Sequence, residues 1–103
     1  MPTNKLSTVD AFVVIDLDDA PVSTGIVRSA PTILASGAAD LARSLTYAYA
    51  SLGMPRGGAS AGINAPDADR PNAIAAFATE IAPLVAAGTF LPDAGKGVEE
   101  SDL

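Results

Sequence analysis

Three glycines fall within six residues in Gly57-Gly58-Ala59-Ser60-Ala61-Gly62-Ile63, directly after a strong helical pattern. Backbone of this composition either approaches another part of the molecule too closely for a side chain or adopts angles closed to other residues. The stretch therefore limits what can pack beside it more than any other in the chain. Two readings follow from the residues alone. Small residues can simply turn the chain between a helix and a strand, or the glycines can bring main chain against a small ligand.

The chain has 103 residues, which suits one domain with a single core. A domain of this size buries roughly two-thirds of the surface its unfolded form exposes. Nearly half of the residues are apolar but only five are aromatic, so the core is built from Ala, Val, Ile and Leu. That composition suits close packing of helices on a sheet. The net charge is −6 and the six cations are scattered singly, which argues against a nucleic-acid surface and against a patch for anionic membranes. There is no cysteine and no histidine, so disulfides, thiolate metal sites and histidine-based triads are excluded. The hydrophobic run near the N-terminus spans five residues at most, too short for a signal sequence. No 18-residue apolar stretch is free of charge. A soluble, cytoplasmic protein is the expectation, and no metal is expected.

Residues 1–9 are polar and read as a flexible N-terminus, with the single domain over 10–103. Ala11-Phe12-Val13-Val14-Ile15 is β-branched without alternation, the pattern of a strand covered on both faces. An acidic turn over 16–21 leads to a second strand, Thr24 to Arg28. Ser36 or Gly37 is placed to cap a helix that runs to Leu52, with Gly53 where a terminating glycine belongs. Ala38, Leu41, Leu45, Ala48 or Tyr49, and Leu52 form its apolar stripe. Ala59 to Asn64 reads as a third strand. Asp67 to Pro71 starts a second helix, with carboxylates near the positive end of its dipole. Its stripe is Ile74, Phe77, Ile81, Leu84 and Val85, and Pro83 within it predicts a kink or a restarted last turn. A final short strand is expected over Thr89 to Leu91, followed by an acidic end from Val98. The order ββαβα(β) predicts an α/β fold, a layered sheet of mixed strands with helices packed on it.

Four segments together carry a family resemblance: Thr24-Gly25-Ile26-Val27-Arg28, Leu45-Thr46-Tyr47-Ala48, Gly57 to Ile63, and Leu91-Pro92-Asp93-Ala94-Gly95. In this order and at these separations the set resembles the N-terminal dimerisation and substrate domain of the Glu/Leu/Phe/Val amino-acid dehydrogenases, over residues 11 to 98. The resemblance implies subunit contacts through this domain and substrate binding at the glycine stretch, with Gly57 and Gly58 at the site. It further implies three lysines: one holding the substrate α-carboxylate, one binding a second carboxylate or water, and one acting as general base. Carried over, these positions are Thr24, Ala48 and Ser60, and none is a lysine. A serine cannot replace a lysine of depressed pKa as a base near neutral pH, and loss of the cations removes charge-assisted bonding to carboxylate. The catalytic aspartate does match, at Asp93, without the lysine partner that would tune it. Arg28 also matches, in a structural role, while Lys96 has no counterpart.

The same resemblance implies a second, nucleotide-binding domain marked by Gly-x-Gly-x-x-Gly after a strand. That motif does not occur in these residues, so NAD or NADP is implied only where a C-terminal domain supplies it. The expectation is a homo-oligomeric module that is silent as a dehydrogenase. The alternative is the N-terminal part of an oxidoreductase with an altered substrate, or, on the glycines alone, a small-molecule binding module.

Other patterns carry less. Val13-Val14-Ile15-Asp16-Leu17-Asp18-Asp19 has the outline of a strand delivering Asp-x-Asp for phosphoryl transfer, but Ala20 stands where Thr or Val is required. A solvated acidic turn is the simpler reading. Gly95-Lys96-Gly97 lacks the upstream glycine and following hydroxyl of a phosphate loop. Tyr47 and Tyr49 read as core or interface residues of an Ala-rich helix. Glu99 to Asp102 read as a solvated tail.

Overall fold

A run of five buried or half-buried residues, Ala11–Ile15, forms the strand around which one half of the fold is laid. The computed structural model describes residues 3–17 and 19–103. Five strands, β1 (Thr3–Lys5), β2 (Ala11–Ile15), β3 (Ser23–Ala30), β4 (Gly57–Asn64) and β5 (Phe90–Ala94), form one sheet in the order β1-β2-β4-β3-β5. The β1–β2 and β2–β4 pairs are antiparallel, whereas β3 lies parallel to both β4 and β5. Two helices complete the fold, α1 (Ala35–Ser51) and α2 (Arg70–Ala86).

The helices lie on opposite faces of the sheet, and the topology requires it. From β3 the chain crosses through α1 to β4, and from β4 it crosses back through α2 to β5 on the far side of β3. Two right-handed crossovers that travel in opposite directions must use opposite faces. Alternation along β2 then divides the core in two. Ala11 and Val13 join Val27, Ala59, Ala61, Ile63, Ile74, Phe77, Ile81 and Phe90 under α2, while Phe12 and Val14 join Ala38 and Ala42 under α1.

The mixed α/β sheet agrees with the reading from sequence, and several local expectations are corrected. The third strand expected over Ala59 to Asn64 is present, but the glycines before it do not turn the chain: Gly57–Asn64 is one central strand, buried at every residue except Asn64, which is half-buried. Residues 1–9, read as a flexible N-terminus, include β1, a three-residue edge strand whose polar side chains are exposed. Helix α1 starts at Ala35 after Leu34, with no side-chain cap from Ser36 or Gly37. Its sheet-facing stripe is set by Ala38 and Ala42, while Ala48 and Leu52 are exposed.

The end of α1 is as expected. Gly53 has φ +71°, its N–H bonds the Ala50 carbonyl, and the Met54 N–H bonds the Tyr49 carbonyl, the double bond that closes a helix on a left-handed glycine. Helix α2 continues through Pro83 to Ala86 as one element. Its buried positions are Ile74, Phe77 and Ile81, with Val85 38% exposed. The acidic end closes on itself in a short 3-10 turn, Glu100–Asp102, where the Glu99 N–H donates to the Asp102 carboxylate at 2.9 Å.

Candidate functional site

The first turn of β4 is where α1 meets the sheet. The Gly58 N–H donates to Thr46 Oγ1 at 2.8 Å, and that hydroxyl donates to the Ala42 carbonyl at 3.2 Å. A Cβ on Gly58 would stand 1.9 Å from the Ala42 oxygen and 2.7 Å from the Thr46 nitrogen. Glycine is required there so that helix backbone can rest on strand backbone. Thr46 thus has a definite part, in a helix segment that sequence reasoning used only as a family marker.

Beside Gly58 in register lies Thr24 of β3, and beyond it Leu91 of β5. Thr24 is buried, its hydroxyl accepts from Arg56 Nη1 at 3.4 Å, and its carbonyl lies 3.5 Å from the Tyr49 hydroxyl. The Arg56 guanidinium sits 5.8 Å from the centre of the Tyr49 ring, within the range of a cation–π contact. A cation therefore reaches the Thr24 position from a residue that the sequence reading passed over. The available signal was an arginine immediately before the first glycine of the run.

One row across the sheet reads Val14, Ser60, Ile26, Asp93. Ser60 is wholly buried and its Oγ has no hydrogen-bond partner among the described residues. Asp93 is exposed on the outer strand. The two are separated by Ile26, at two strand spacings or about 10 Å, so the structure does not bring them together as a reacting pair. Ala48 is exposed on α1. Of the residues singled out from the sequence, only Thr24 and Gly58 are neighbours, with Gly57 one residue away.

At the end of β2, Asp16 is a buried carboxylate whose Oδ1 accepts from Arg43 Nε at 2.8 Å, while the Arg43 side chain is 48% exposed. That carboxylate, and then the Tyr47 hydroxyl, hold the guanidinium of Arg43 in its charged form above its ordinary range. Asp16 is thus committed to an ion pair with α1. Asp18, the second acid of the Asp-x-Asp pattern, lies outside the described residues. Among the described residues no group of three or more His, Asp, Glu or Cys is placed to hold a metal ion, and no helix is long and apolar enough to cross a membrane.

No protein-family model matches this sequence, and no curated protein matches it. The fold does have solved counterparts. The chain is similar to a hetero-hexameric glutamate dehydrogenase from Thermus thermophilus in its leucine-bound form, with a TM-score of 0.75 over 89% of this chain at 20% identity. It is also similar to L-tryptophan dehydrogenase from Nostoc punctiforme, with a TM-score of 0.76 over 98% of this chain at 20% identity. This chain spans 23% and 31% of the lengths of those two proteins. The molecule therefore shares the fold of a part of amino-acid dehydrogenases.

Proposed function

We propose that the chain is an oligomerisation and substrate-domain module of a Glu/Leu/Phe/Val dehydrogenase-like protein, without dehydrogenase activity as these residues stand. One observation carries the reading. On a backbone like that of amino-acid dehydrogenases, the three positions at which the resemblance implies lysine hold a buried Thr24, an exposed Ala48 and a sealed Ser60. Ser60 cannot reach solvent or a substrate, so it has no path to act as a base. The self-association part is supported by the outer side of α1 and its flanks, where Leu34, Tyr47 and Leu52 are 68%, 65% and 73% exposed. The reading includes a cytoplasmic location, with which the lack of cysteine is compatible.

Two measurements test it together. Sedimentation at tens of micromolar is expected to give a homo-oligomer, and amino-acid-dependent reduction of NAD or NADP is expected to be nil. A strict monomer sinks the oligomerisation part, and turnover by this chain sinks the silent-site part.

Arg56 favours a second reading, in which the chain is the substrate part of an oxidoreductase with an altered substrate. Its guanidinium stands at Thr24 and supplies there a charge the missing lysine would have carried. Asp93, exposed on the same face of the sheet, would be the acid of such a site. A nucleotide-binding domain outside these residues would then bring NAD or NADP. A reading frame that continues past Leu103 into a strand and Gly-x-Gly-x-x-Gly would favour this alternative.

A further inference from the structure

Helix α1 carries two apolar stripes, and the chain covers one of them. Ala38 and Ala42 rest on β4 and β2 and are buried. A second stripe, Leu34, Leu41, Leu45, Ala48 and Leu52, runs at steps of seven, four, three and four residues. That is the 3.5-residue repeat with which one helix packs along another. Leu41 and Leu45 are half-buried, while Leu34, Ala48 and Leu52 are exposed.

The second stripe lies on the flank of α1 that overhangs β3. Arg43 bonds Asp16 at the end of β2, while the Tyr49 hydroxyl reaches the Thr24 carbonyl of β3. Leu34, Leu45 and Leu52 stand about half a turn around the helix from Arg43, and so on the β3 side. Beyond that flank the same side of the sheet is open. There β3 presents Thr24, Ile26 and Arg28, and β5 presents Leu91 and Asp93 in register with the first two. Ile26 and Arg28 are half-buried, and Leu91 and Asp93 are exposed. Two strands make a floor about 10 Å wide, and a helix with its side chains is about 10–12 Å across. Helix and floor thus form a step, one helix high and one helix wide.

A surface of this shape is complementary to itself. A helix laid along the leucine stripe must also rest on the floor beneath it. A second copy related by a two-fold axis parallel to α1 meets both requirements at once, because each α1 then fills the other's step. The two helices run parallel, and each residue of the stripe faces its own counterpart.

Charge permits this contact although the chain as a whole carries −6. Between Leu34 and Pro55 the charged residues are Asp40 and Arg43, of opposite sign, and the floor holds Arg28 and Asp93. Gly58 lies beneath Ala42 and Thr46 and is level with Thr24 and Leu91. Arg43, on the flank of the incoming helix away from its stripe, therefore comes over β5 beside Leu91 and Asp93. Asp93 has no ion-pair partner among the described residues.

We propose that the chain dimerises through this step, the leucine stripe of α1 against the same stripe of a second copy and Arg43 of each copy against Asp93 of the other. The proposal rests on the self-association put forward above and gives that association its surface.

The chain has no cysteine, so single introduced cysteines report on contacts cleanly. Ala48 on the stripe and Ala75 on α2 are both exposed. Under mild oxidation at tens of micromolar, Ala48→Cys is expected to give a disulfide-linked dimer, since each sulfur meets its own counterpart, and Ala75→Cys is expected to give none. Leu52→Glu is expected to raise the dissociation constant measured by sedimentation at least about tenfold, with circular dichroism reporting that the fold is kept. Asp93→Lys is expected to weaken association, more so at low salt than at high salt. A self-associating chain with no Ala48→Cys cross-link, with equal cross-linking at residue 75, or with association that Leu52→Glu leaves intact overturns this interface while the oligomerisation reading stands. A strict monomer overturns both. An Asp93→Lys variant that associates as the parent does overturns the ion pair across the step.

Discussion

Gly58 of β4 and Thr46 of α1 are joined by a main-chain to side-chain hydrogen bond of 2.8 Å, and this bond marks the line along which helix and sheet touch. The threonine hydroxyl accepts from the strand and donates to its own helix at Ala42, so its one donor and one of its acceptor positions are used at the seam. The missing Cβ at Gly58 leaves the space that the Ala42 carbonyl occupies.

Gly58→Ala is therefore expected to destabilise the chain by about 3 kcal/mol or more, because two of the three atoms it would strike are helix backbone and the third is the Leu45 Cβ fixed to that backbone, so none can step aside. Thr46→Val keeps the shape and leaves the buried Gly58 N–H without its acceptor, at about 1–3 kcal/mol. Thermal melts followed by circular dichroism check both. A Gly58→Ala variant that melts within a degree of the parent would mean that α1 does not rest on β4 as described.

The Asp16–Arg43 pair yields a different kind of test. The acid is buried and the base half-exposed, so removing the base should do more harm than neutralising the acid. Arg43→Met is expected to lower the melting temperature more than Asp16→Asn. The double variant should recover part of the loss caused by Arg43→Met, since it no longer buries an unpaired carboxylate. If it melts lower than Arg43→Met alone, the pair does not carry the coupling assigned to it.

Some of this architecture was legible in the sequence for reasons that the structure makes plain. The Ala11–Ile15 run reads as a strand covered on both faces because Val13 and Val14 serve separate cores on the two sides of the sheet. Gly53 reads as a helix end because its left-handed backbone favours glycine. The glycine stretch misled for an equally physical reason. A missing side chain signals a turn and a close packing contact alike, and only the position of α1 separates them. The leucines of α1 gave a stripe one step away from the true one, since a helix resting on glycine backbone needs alanines at the contact. Strand β1 had no signal, being short, polar and held by pairing rather than by burial. Arg56 stands next to the glycine run in sequence, but what makes it a site residue is its reach to Thr24, across 32 residues of sequence, which adjacency alone does not show.

Glu80 ties α2 to the turn between β1 and β2. Its carboxylate accepts from the Thr8 hydroxyl at 2.5 Å and from the Ser7 and Thr8 N–H groups at 2.9 and 2.8 Å. The hydroxyl first, and then the two backbone donors, hold its pKa below the ordinary value of 4.5. A carboxyl whose pKa falls on folding contributes stability above its unfolded pKa and loses it as pH drops through the folded value. The clasp is thus expected to be fully present above about pH 5 and to fade in more acidic solution. Glu80→Gln should melt lower than the parent at pH 7, with the gap closing towards pH 3. Hydrogen exchange at Ser7 and Thr8 should quicken in the variant at neutral pH. A gap that is constant across the range would deny the carboxylate its role.

Placing lysine at the three positions where the resemblance implies it discriminates among their environments. Ser60 is sealed between Val14 and Ile26 under α1, Thr24 is buried but next to an open face, and Ala48 is exposed. Ser60→Lys is expected to cost about 3 kcal/mol or more, since an ammonium there has neither water nor a partner. Thr24→Lys should cost less but still be measurable, because the new charge meets that of Arg56. Ala48→Lys should fall within about 0.5 kcal/mol of the parent. Urea titrations followed by circular dichroism give the order. No single variant is expected to reduce NAD or NADP with glutamate, leucine, phenylalanine or valine, because groups that act as a unit do not contribute singly. The triple variant, if it folds, is expected to be silent too, because these residues carry no Gly-x-Gly-x-x-Gly motif to bind the nucleotide. Turnover by the unmodified chain would show that catalysis does not depend on those lysines at all. A well-tolerated Ser60→Lys would show instead that β4 opens to solvent beneath α1, and the site would then have to be rebuilt around an accessible residue 60.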